Sequence, residues 1–387
     1  MRYKLFSLII IILLILGCGK ESTSVSMLAP ENLEIELIGC SEIFLSWDDV
    51  SSNESGFILQ RKLQNEEFET IAELEADIEE YTDLDLETWN TYYYRVAAVF
   101  DDELSSWSNA VNIYTQPQLA DLDFGTETSL DVLTWNIEHF PKMNGTTINL
   151  AAQSILAMSP EVAGLQEIEN SSAFNELLNI LNNEDDDNVW EGFRSEQAYY
   201  DINLAIVYKA NLFSNISISE IYTSDWSAFP RPPVVFDAVY NGERVVVINN
   251  HFKASGGASN EARRREACEK LKLYIDENLD NENVIVIGDM NDELDDPVSS
   301  NVFQGFIDDE ENYCWSDWEI AFGDNDNWSY PGWPSHLDHI LITNELFDNY
   351  QVEEVFTLKP ELYIEGGWSG YESKLSDHRP VGIRIRF

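Results

Sequence analysis

The residues that could do chemistry in this sequence stand where predicted strands end. Each of the five histidines lies beyond residue 130 and within two residues of an acid or an amide; they are His139, His251, His336, His339 and His378. Carboxylates hold Mg²⁺ or Mn²⁺ through oxygen, and a histidine–aspartate pair supplies acid–base help near neutral pH. Amides donate hydrogen bonds without adding charge. This combination of side chains favours hydrolysis of a phosphate ester.

These side chains fall into six short segments that follow or precede apolar, strand-like runs. Polar residues at the strand ends of an α/β scaffold are a usual place for an active site. The segments are Trp135-Asn136-Ile137-Glu138-His139, Gln166-Glu167-Ile168-Glu169, Asn249-Asn250-His251-Phe252-Lys253, Gly288-Asp289-Met290-Asn291-Asp292, Ser335-His336-Leu337-Asp338-His339 and Ser376-Asp377-His378-Arg379-Pro380.

The sequence around the segments predicts an α/β layered domain over residues 130–387. Several predicted strands are apolar at every position, which indicates burial on both faces. The predicted strands are Asp131–Asn136, Val162–Gln166, Leu204–Tyr208, Val234–Val239, Val245–Asn249, Val284–Ile287 and His339–Ile342. The predicted helices are Ile148–Met158, Phe174–Asn182 and Glu261–Asn278.

In this order the six segments resemble the endonuclease/exonuclease/phosphatase superfamily, the metal-dependent phosphohydrolases related to deoxyribonuclease I. The resemblance runs from about Leu130 to the C-terminus and implies a four-layer sandwich, with two β-sheets flanked by helices. It implies that Glu167 is the principal ligand of Mg²⁺ or Mn²⁺ and that Asn136 contacts the phosphate or a metal-bound water. Asp338 and Asp377 would be acidic partners, with Asp377 also a metal ligand.

The resemblance implies catalytic roles as well. His251 would be the general acid or would stabilise the leaving group, and Asp289 would orient or deprotonate the attacking water. Asn291 would stabilise the transition state, and Asp377 would orient His378 against the phosphate. The other three histidines are interpreted as structural or supporting residues.

A further stretch indicates how substrate is held. Residues 229–236, Phe-Pro-Arg-Pro-Pro-Val-Val-Phe, resemble the stretch of deoxyribonuclease I-like enzymes whose arginine contacts substrate phosphate, which gives that role to Arg231. Lys253 and Tyr200 are also expected to contact substrate. A local positive patch fits capture of an anion, although its last three members could be the solvated face of a helix; it comprises Arg231, Arg244, Lys253, Arg263, Arg264 and Arg265.

Two positions depart from the family pattern. The position before Asp338 that is often arginine in relatives is His336 here, which leaves a phosphate contact there open. The acid that pairs with the catalytic histidine in deoxyribonuclease I has no clear match, and Asp201 is the stand-in candidate.

Residues 30–115 read as a separate all-β domain. Apolar and polar residues alternate in several short runs, which predicts half-buried strands and a β-sandwich. The runs around Leu45–Trp47, Gly56–Arg61 and Thr91–Ala98 resemble a fibronectin type III domain, with Trp47 as its buried tryptophan and Tyr92 at its tyrosine corner. Residues 116–129 are interpreted as a linker, and the ligand of the all-β domain stays unknown.

The first residues predict export. Arg2 and Lys4 precede an apolar run from Leu5 to Leu16, which is shorter than the roughly 20 residues of a membrane span. Residues 1–18 therefore read as a signal peptide, and residues 15–18, Ile-Leu-Gly-Cys, resemble a bacterial lipobox that would attach a membrane lipid to Cys18. Residues 19–29 would be a tether, so the predicted protein is exported and membrane-anchored.

Composition and cysteine count set further limits. The net charge of −49 excludes bulk electrostatic coating of nucleic acid or an anionic membrane, and 44% hydrophobic residues exclude a disordered chain. Cys268 and Cys314 could pair or stay free. The acidic loops Asn182–Asn188 and Asp324–Asn327 could hold a structural Ca²⁺.

The sequence thus predicts a lipid-anchored, metal-dependent phosphodiesterase, with an endonuclease acting on extracellular DNA or RNA as the leading hypothesis. Two alternatives remain open at this point. One is a phosphatase or a phospholipid-head-group phosphodiesterase on the same scaffold, and the other is a surface binding protein without catalytic activity.

Overall fold

The computed structural model describes residues 28–39, 41–84, 86–100 and 103–387, which divide into two compact units between Thr115 and Gln116. The predicted signal peptide, its Cys18 and residues 19–27 of the tether lie outside the described residues, as does Cys40. Within the described ranges, no helix combines the length and the apolar character that a membrane crossing requires.

The first unit consists of antiparallel strands. They are β1 (Glu31–Gly39), β2 (Glu42–Asp48), β3 (Gly56–Leu63), β4 (Glu69–Glu75), β5 (Glu80–Asp83), β6 (Thr91–Phe100), β7 (Glu103–Leu104) and β8 (Val111–Tyr114). One sheet has the order β1-β2-β5 and the other β4-β3-β6-β7, with β8 also paired to β6. Trp47 is buried with its ring centroid 5.9 Å from that of Phe57, and the Tyr92 hydroxyl donates to the Glu87 carbonyl at 3.3 Å.

The second unit is built on two six-stranded sheets. Its strands are β9 (Leu130–Phe140), β10 (Val162–Ile168), β11 (Trp190–Arg194), β12 (Asn203–Lys209), β13 (Phe213–Glu220), β14 (Val234–Tyr240), β15 (Glu243–His251), β16 (Asn283–Asp289), β17 (Tyr313–Trp315), β18 (Asp338–Thr343), β19 (Val355–Thr357) and β20 (Val381–Ile385). The first sheet has the order β11-β12-β10-β9-β20-β19 and the second β13-β14-β15-β16-β18-β17. The pairs β9–β10 and β15–β16 are parallel, and the other pairs are antiparallel.

The two sheets share a core, because side chains of both contribute to one buried cluster that includes Val132, Ile206, Val247, Ile285 and Ile340. The helices are α1 (Gly145–Met158), α2 (Ser171–Glu184), α3 (Ala258–Asn278), α4 (Gln304–Ile307), α5 (Trp318–Ala321) and α6 (Gly367–Lys374). Helices α1 and α2 pack on the first sheet, and α3 packs on the second. Each sheet is therefore buried on both faces, which explains why its strands are apolar at successive positions.

The three predicted helices lie within α1, α2 and α3, so these predictions are confirmed. Helix α2 begins after Asn170, whose side chain accepts a hydrogen bond from the Ala173 backbone N–H at 3.0 Å, as an N-cap does. The cysteines Cys268 and Cys314 are both free, so the pairing that the sequence left open is absent from this structure.

Residues 116–129, which the sequence analysis interprets as a linker, pack within the second unit. Phe124 is fully buried, its carbonyl accepts from Arg384 Nε at 2.8 Å, and its ring meets Phe356 edge-on at 6.0 Å. The following residue, Gly125, donates its N–H to the Met158 carbonyl at 2.7 Å. The second unit therefore begins at Gln116 rather than at Leu130.

A protein that begins at Gln116 is expected to keep its turnover on a soluble substrate within a few-fold of the full chain. The reason is that every histidine and every predicted site residue lies in the second unit, which has a core of its own. Turnover and melting temperature of the two proteins, measured side by side, check this. A fragment that begins at Thr126 loses the buried Phe124 ring and should melt lower, and a hundredfold loss of turnover in the folded Gln116 fragment would contradict the prediction.

Candidate active site

The register of the strands brings the predicted site residues of both sheets to one place. In the first sheet, Gln166 of β10 pairs with Asn136 of β9. In the second sheet, Asp289 of β16 lies between His251 of β15 and Asp338 of β18. The Asn136 Nδ2 donates to Asp289 Oδ2 at 2.9 Å, so a direct hydrogen bond joins the site residues of the first sheet to those of the second.

The Asp289 carboxylate is the centre of this cluster. Its Oδ2 lies 3.4 Å from His251 Nε2 and 3.9 Å from His378 Nε2, and its Oδ1 accepts from the Asn291 backbone N–H at 3.0 Å. Burial raises the pKa of Asp289 to about 7, with His378 opposing and the nearby acids Asp338 and Glu167 adding to the rise. A carboxylate with this pKa can both hold and release a proton near neutral pH.

Glu167 faces the same cluster from the first sheet. The β10 register shifts between Leu165 and Ile168, and Glu167 has a left-handed backbone with φ of 62°. Its Oε2 accepts from the His139 backbone N–H at 3.0 Å, and its Oε1 lies 3.5 Å from Asn136 Nδ2. A non-glycine residue in this conformation costs of order 1 kcal/mol, and such strain is concentrated at functional sites.

The structure gives the partner of His378 as Asp338, whereas the sequence predicted Asp377. His378 Nδ1 donates to Asp338 Oδ2 at 2.7 Å, while Asp377 Oδ1 stays 3.9 Å from the other ring nitrogen. Asp338 is fully buried at the start of β18, and the Asp377 side chain is one-quarter exposed. Burial alone would lower the pKa of His378, but the charges of Asp338 and Asp289 outweigh it and raise the pKa to about 10. His378 is therefore an imidazolium at neutral pH.

His251 differs from His378 in its protonation state. Burial, followed by the nearby charges of Arg231 and His378, lowers its pKa well below the ordinary value, so the ring is neutral before substrate binds. Its Nδ1 is buried and has no hydrogen-bond partner within the described ranges, so Asp201 does not pair with it there. A bound phosphodiester anion would raise the pKa of His251, because a nearby negative charge favours the charged ring.

Replacing Asp338 by asparagine is expected to lower the pKa of His378 from about 10 toward its ordinary 6.5. The ring would then lose its proton nearer to neutral pH, because the closest carboxylate charge is gone. NMR titration of the ring in EDTA measures this. Asp377→Asn is the matched control and should lower the pKa much less, since Asp377 lies 3.9 Å from the ring. An unchanged pKa in Asp338→Asn would refute the assignment.

The residues predicted to hold a divalent metal fit that role by their chemistry. Asn136 Oδ1 is buried and has no hydrogen-bond partner in the described part of the chain, although the same amide donates to Asp289. Burial raises the pKa of Asp377, and after the opposing effect of His378 the acids Glu138 and Glu167 raise it further. Carboxylates and an amide oxygen without a partner are the donors that Mg²⁺ and Mn²⁺ prefer.

A second polar cluster is less suited to a metal. Asp317 Oδ2 accepts hydrogen bonds from His336 Nε2 at 3.0 Å and from His339 Nδ1 at 2.6 Å. The other ring nitrogens are also used, since His336 Nδ1 accepts from the Ser329 N–H and His339 Nε2 donates to the Asp292 carbonyl. His336 is thus buried in a hydrogen-bonded cluster, and not placed as a phosphate ligand.

The two loops predicted for Ca²⁺ show internal hydrogen bonds. Asp185 accepts from Trp190 Nε1 at 2.8 Å and from the side chain of Asn188, and Asp324 accepts from the Asp326 N–H at 3.1 Å. Three side chains lie close enough to share an ion at Asp317 with His336 and His339, and at Asp49 with Glu54 and Asp77, and neither group includes a residue of the two loops. Calcium in the two loops stays a prediction.

The predicted substrate residues Arg231 and Lys253 line a cavity of about 280 Å³. Arg231 Nη1 donates to the Phe252 carbonyl at 3.2 Å, which holds the guanidinium beside the end of β15. The same carbonyl lies 3.4 Å from Asn291 Nδ2, so the cavity adjoins the loop that follows Asp289. Tyr200 lies in the turn Tyr199–Asp201, but its side chain lies outside the described part of the molecule.

Two residues position the site in ways that the sequence did not predict. Arg264, expected as a solvated residue of a helix or part of a basic patch, is buried and donates to Asp292 Oδ2 at 2.7 Å and to the carbonyls of Lys253 and Ser255. Asn249 bridges the sheets, because its Nδ2 donates to the Leu165 carbonyl. The available signals were a cation at the spacing of the buried face of α3 and an amide that directly follows the apolar run of residues 245–248.

Comparisons with known proteins agree with this fold. The model of the Endonuclease/Exonuclease/phosphatase family matches residues 107–365. TDP2 from D. rerio, solved with a single-strand DNA product, is 14% identical with a TM-score of 0.52, and the match covers 67% of this chain and 100% of that one. The D. rerio TDP2 humanized by 14 mutations is 12% identical with a TM-score of 0.50, covering 67% of this chain and 99% of that one.

No match was found among curated proteins. The two TDP2 likenesses concern the fold, and the family model covers more than half of the sequence, from residue 107 to residue 365. The chain therefore belongs to the endonuclease/exonuclease/phosphatase family.

Proposed function

We propose that this protein is an exported, lipid-anchored, divalent-metal-dependent phosphodiester hydrolase that cleaves nucleic acid internally, as deoxyribonuclease I-like enzymes do. The observation that carries the proposal is the meeting of Glu167, Asn136, Asp289, His251 and the His378–Asp338 pair at converging strand ends. Membership of the family supports the reaction class, and the single-strand DNA product bound to D. rerio TDP2 supports the substrate.

The first step of the proposed reaction needs a base for the attacking water. Asp289 can take that proton near neutral pH, because its pKa of about 7 leaves a substantial fraction ionised. The Asn136 amide holds Asp289 Oδ2, and the Asn291 backbone N–H holds Oδ1, so the carboxylate is fixed in one orientation. A Mg²⁺ or Mn²⁺ held by Glu167, Asn136 and Asp377 would neutralise charge on the phosphoryl oxygens.

Two histidines act on the phosphate. His378, kept charged by Asp338, supplies a fixed positive charge to the phosphoryl oxygens as negative charge develops there. His251 would take up a proton from solvent as the phosphodiester anion binds, and it can then pass that proton to the departing oxygen. Arg231 and Asn291 lie at the edge of the same site, where they can hold the phosphate group.

The export and anchoring parts of the proposal rest on residues 1–29 of the sequence, with the lipid on Cys18. For the first unit we propose a fibronectin type III-like module that engages a partner of unknown identity. The buried Trp47 and the Tyr92 hydroxyl bonded to the Glu87 backbone support that proposal, since such contacts are hallmarks of this class of β-sandwich.

The proposal is tested with protein lacking residues 1–18, given plasmid DNA, RNA, sphingomyelin and a generic phosphodiester in Mg²⁺ or in EDTA. We expect nicked plasmid in Mg²⁺, no cleavage in EDTA and loss of activity in Glu167→Gln. Cleavage of sphingomyelin alone would identify a head-group phosphodiesterase instead. Inactivity of folded protein on every substrate with Mg²⁺ and with Mn²⁺ would leave a non-catalytic binding protein and overturn the proposal.

A further inference from the structure

The cavity beside the catalytic cluster has two kinds of wall. One is cationic, formed by Arg231, Lys253 and Arg263, and the other is aromatic, formed by Tyr199 and Trp226. The two rings meet edge-on with centroids 6.3 Å apart, and both are largely exposed, at 56% for Tyr199 and 44% for Trp226. Exposed aromatic rings that line a concave cavity, rather than completing a core, offer apolar surface that a ligand can contact.

Acids act on the cationic wall from the catalytic cluster, where the charges of Glu167 and Asp289 favour the charged form of Arg231. Arg231, Lys253 and Arg263 take part in none of the ion pairs between described residues, although the whole chain carries 71 acids against 22 cations. Burial, and then the charges of Arg263 and Arg231, lower the pKa of Lys253. Three cations that crowd each other in so acidic a protein make a site for a bound anion.

Arg263 also connects the two walls. Its Nε donates to the Ser227 carbonyl at 2.6 Å and its Nη2 donates to the Trp226 carbonyl at 3.0 Å. The arginine thereby fixes the backbone that carries the Trp226 ring, and its positive charge lines the same cavity as that ring. Ring and cation together match a nucleotide, because a base stacks on aromatic side chains while its phosphate binds arginine and lysine.

We propose that this cavity is a subsite for one unstacked nucleotide next to the scissile phosphate, with the base on Trp226 and Tyr199 and the phosphate held by Arg231, Lys253 and Arg263. The inference rests on the proposed phosphodiester hydrolase, and it deepens that function by making single-stranded nucleic acid the preferred substrate. The volume of about 280 Å³ suits one nucleotide, and a base paired within a duplex has no free face to offer the rings.

The position of the cavity supports an adjacent nucleotide rather than a remote one. Its Arg231 donates to the Phe252 carbonyl, directly after His251, and the Asn291 amide approaches the same carbonyl. When the scissile phosphate of a strand lies at Asp289, the neighbouring nucleotide therefore lies beside Arg231, and the aromatic rings come next.

The test measures binding apart from catalysis. Full chain without residues 1–18 is mixed in EDTA with a fluorescent single-stranded DNA oligonucleotide, and anisotropy gives Kd. Base–aromatic stacking is worth about 1–3 kcal/mol, so Trp226→Ala should weaken binding by about 5- to 100-fold, while Trp226→Phe should retain most of the affinity. The same measurement with single-stranded RNA and with duplex DNA shows which nucleic acid is preferred. The duplex should bind more weakly than single-stranded DNA or single-stranded RNA.

A matched pair of arginine variants tests the anion half of the subsite. Arg263→Gln should weaken binding and reduce the slope of log K against log salt by about 0.7, the value for one phosphate contact of a single strand. Arg265→Gln is the control and should leave slope and affinity unchanged, because Arg265 lies on the same helix but donates to the Ser300 carbonyl and lines a different cavity.

The outcomes separate this inference from the proposed function. Wild-type affinity in Trp226→Ala and Arg263→Gln would overturn the subsite while leaving hydrolysis intact. Wild-type protein that cleaves methyl p-nitrophenyl phosphate but binds no oligonucleotide would also overturn the subsite and keep the hydrolase. Oligonucleotide binding that both variants weaken, in a protein that hydrolyses no diester, would support the subsite and refute the hydrolase.

Discussion

Turnover is expected to fall by about 10²- to 10⁴-fold when Asp289 or His251 is replaced by alanine, with a much smaller change in substrate affinity. Each residue acts mainly in the transition state, Asp289 on the attacking water and His251 on the departing oxygen. Because Asp289 Oδ2 lies 3.4 Å from His251 Nε2, the two serve one displacement. The double variant should therefore lose less than the product of the single losses.

Substrates with different leaving groups distinguish the role of His251 from that of Asp289. A p-nitrophenolate departs without a proton, so His251→Ala should lose much less on methyl p-nitrophenyl phosphate than on a nucleic acid, whereas Asp289→Ala should lose similarly on both. His139→Ala is the control, because the ring is hydrogen-bonded to Glu169 and stands 3.8 Å from Glu167, which accepts instead from the backbone N–H that the variant keeps. If both folded, metal-supplied single variants keep more than about a tenth of wild-type turnover, these roles are wrong.

The sequence predicted which strand ends come together better than it predicted which side chains pair there. Strand ends are readable because apolar runs end at definite residues, and the side chains after them, such as Asn136 and Asp289, do meet at 2.9 Å. Pairing across the site depends on rotamers and burial, which spacing does not show. Asp377 is adjacent to His378 in sequence, yet the ring instead bonds the fully buried Asp338, 40 residues earlier.

The sequence also did not show which charged side chains are buried. Arg263, Arg264 and Arg265 are consecutive, and composition cannot tell which of them a helix turns inward. In the structure, Arg264 is buried and bonded to Asp292. Arg263 lines the cavity beside the catalytic cluster, and Arg265 lines a different cavity. Residues 116–129 show the same limit, because acids and small residues resemble a linker although Phe124 is anchored in the core.

Changing the buried Arg264 to methionine is expected to lower the stability of the second unit strongly. Its guanidinium joins Asp292, which lies three residues after Asp289, to the carbonyls of Lys253 and Ser255 beyond His251. Removing one member of a buried ion pair costs about 3–5 kcal/mol, because the remaining charge stays buried without a partner. Urea unfolding of the protein that begins at Gln116 measures the loss, with Arg265→Met as the adjacent control.

A second substitution distinguishes a structural role from a positioning role. Arg264→Met with Asp292→Leu removes both charges, and replacing a buried ion pair by apolar residues is often neutral for stability, so most of the free energy of unfolding should return. Turnover should stay at least tenfold low, because nothing then ties the loop after Asp289 to the Lys253 and Ser255 carbonyls. Recovery of turnover together with stability would show that Arg264 only holds the fold, whereas stable protein with low turnover and normal KM would show that it positions Asp289 against His251.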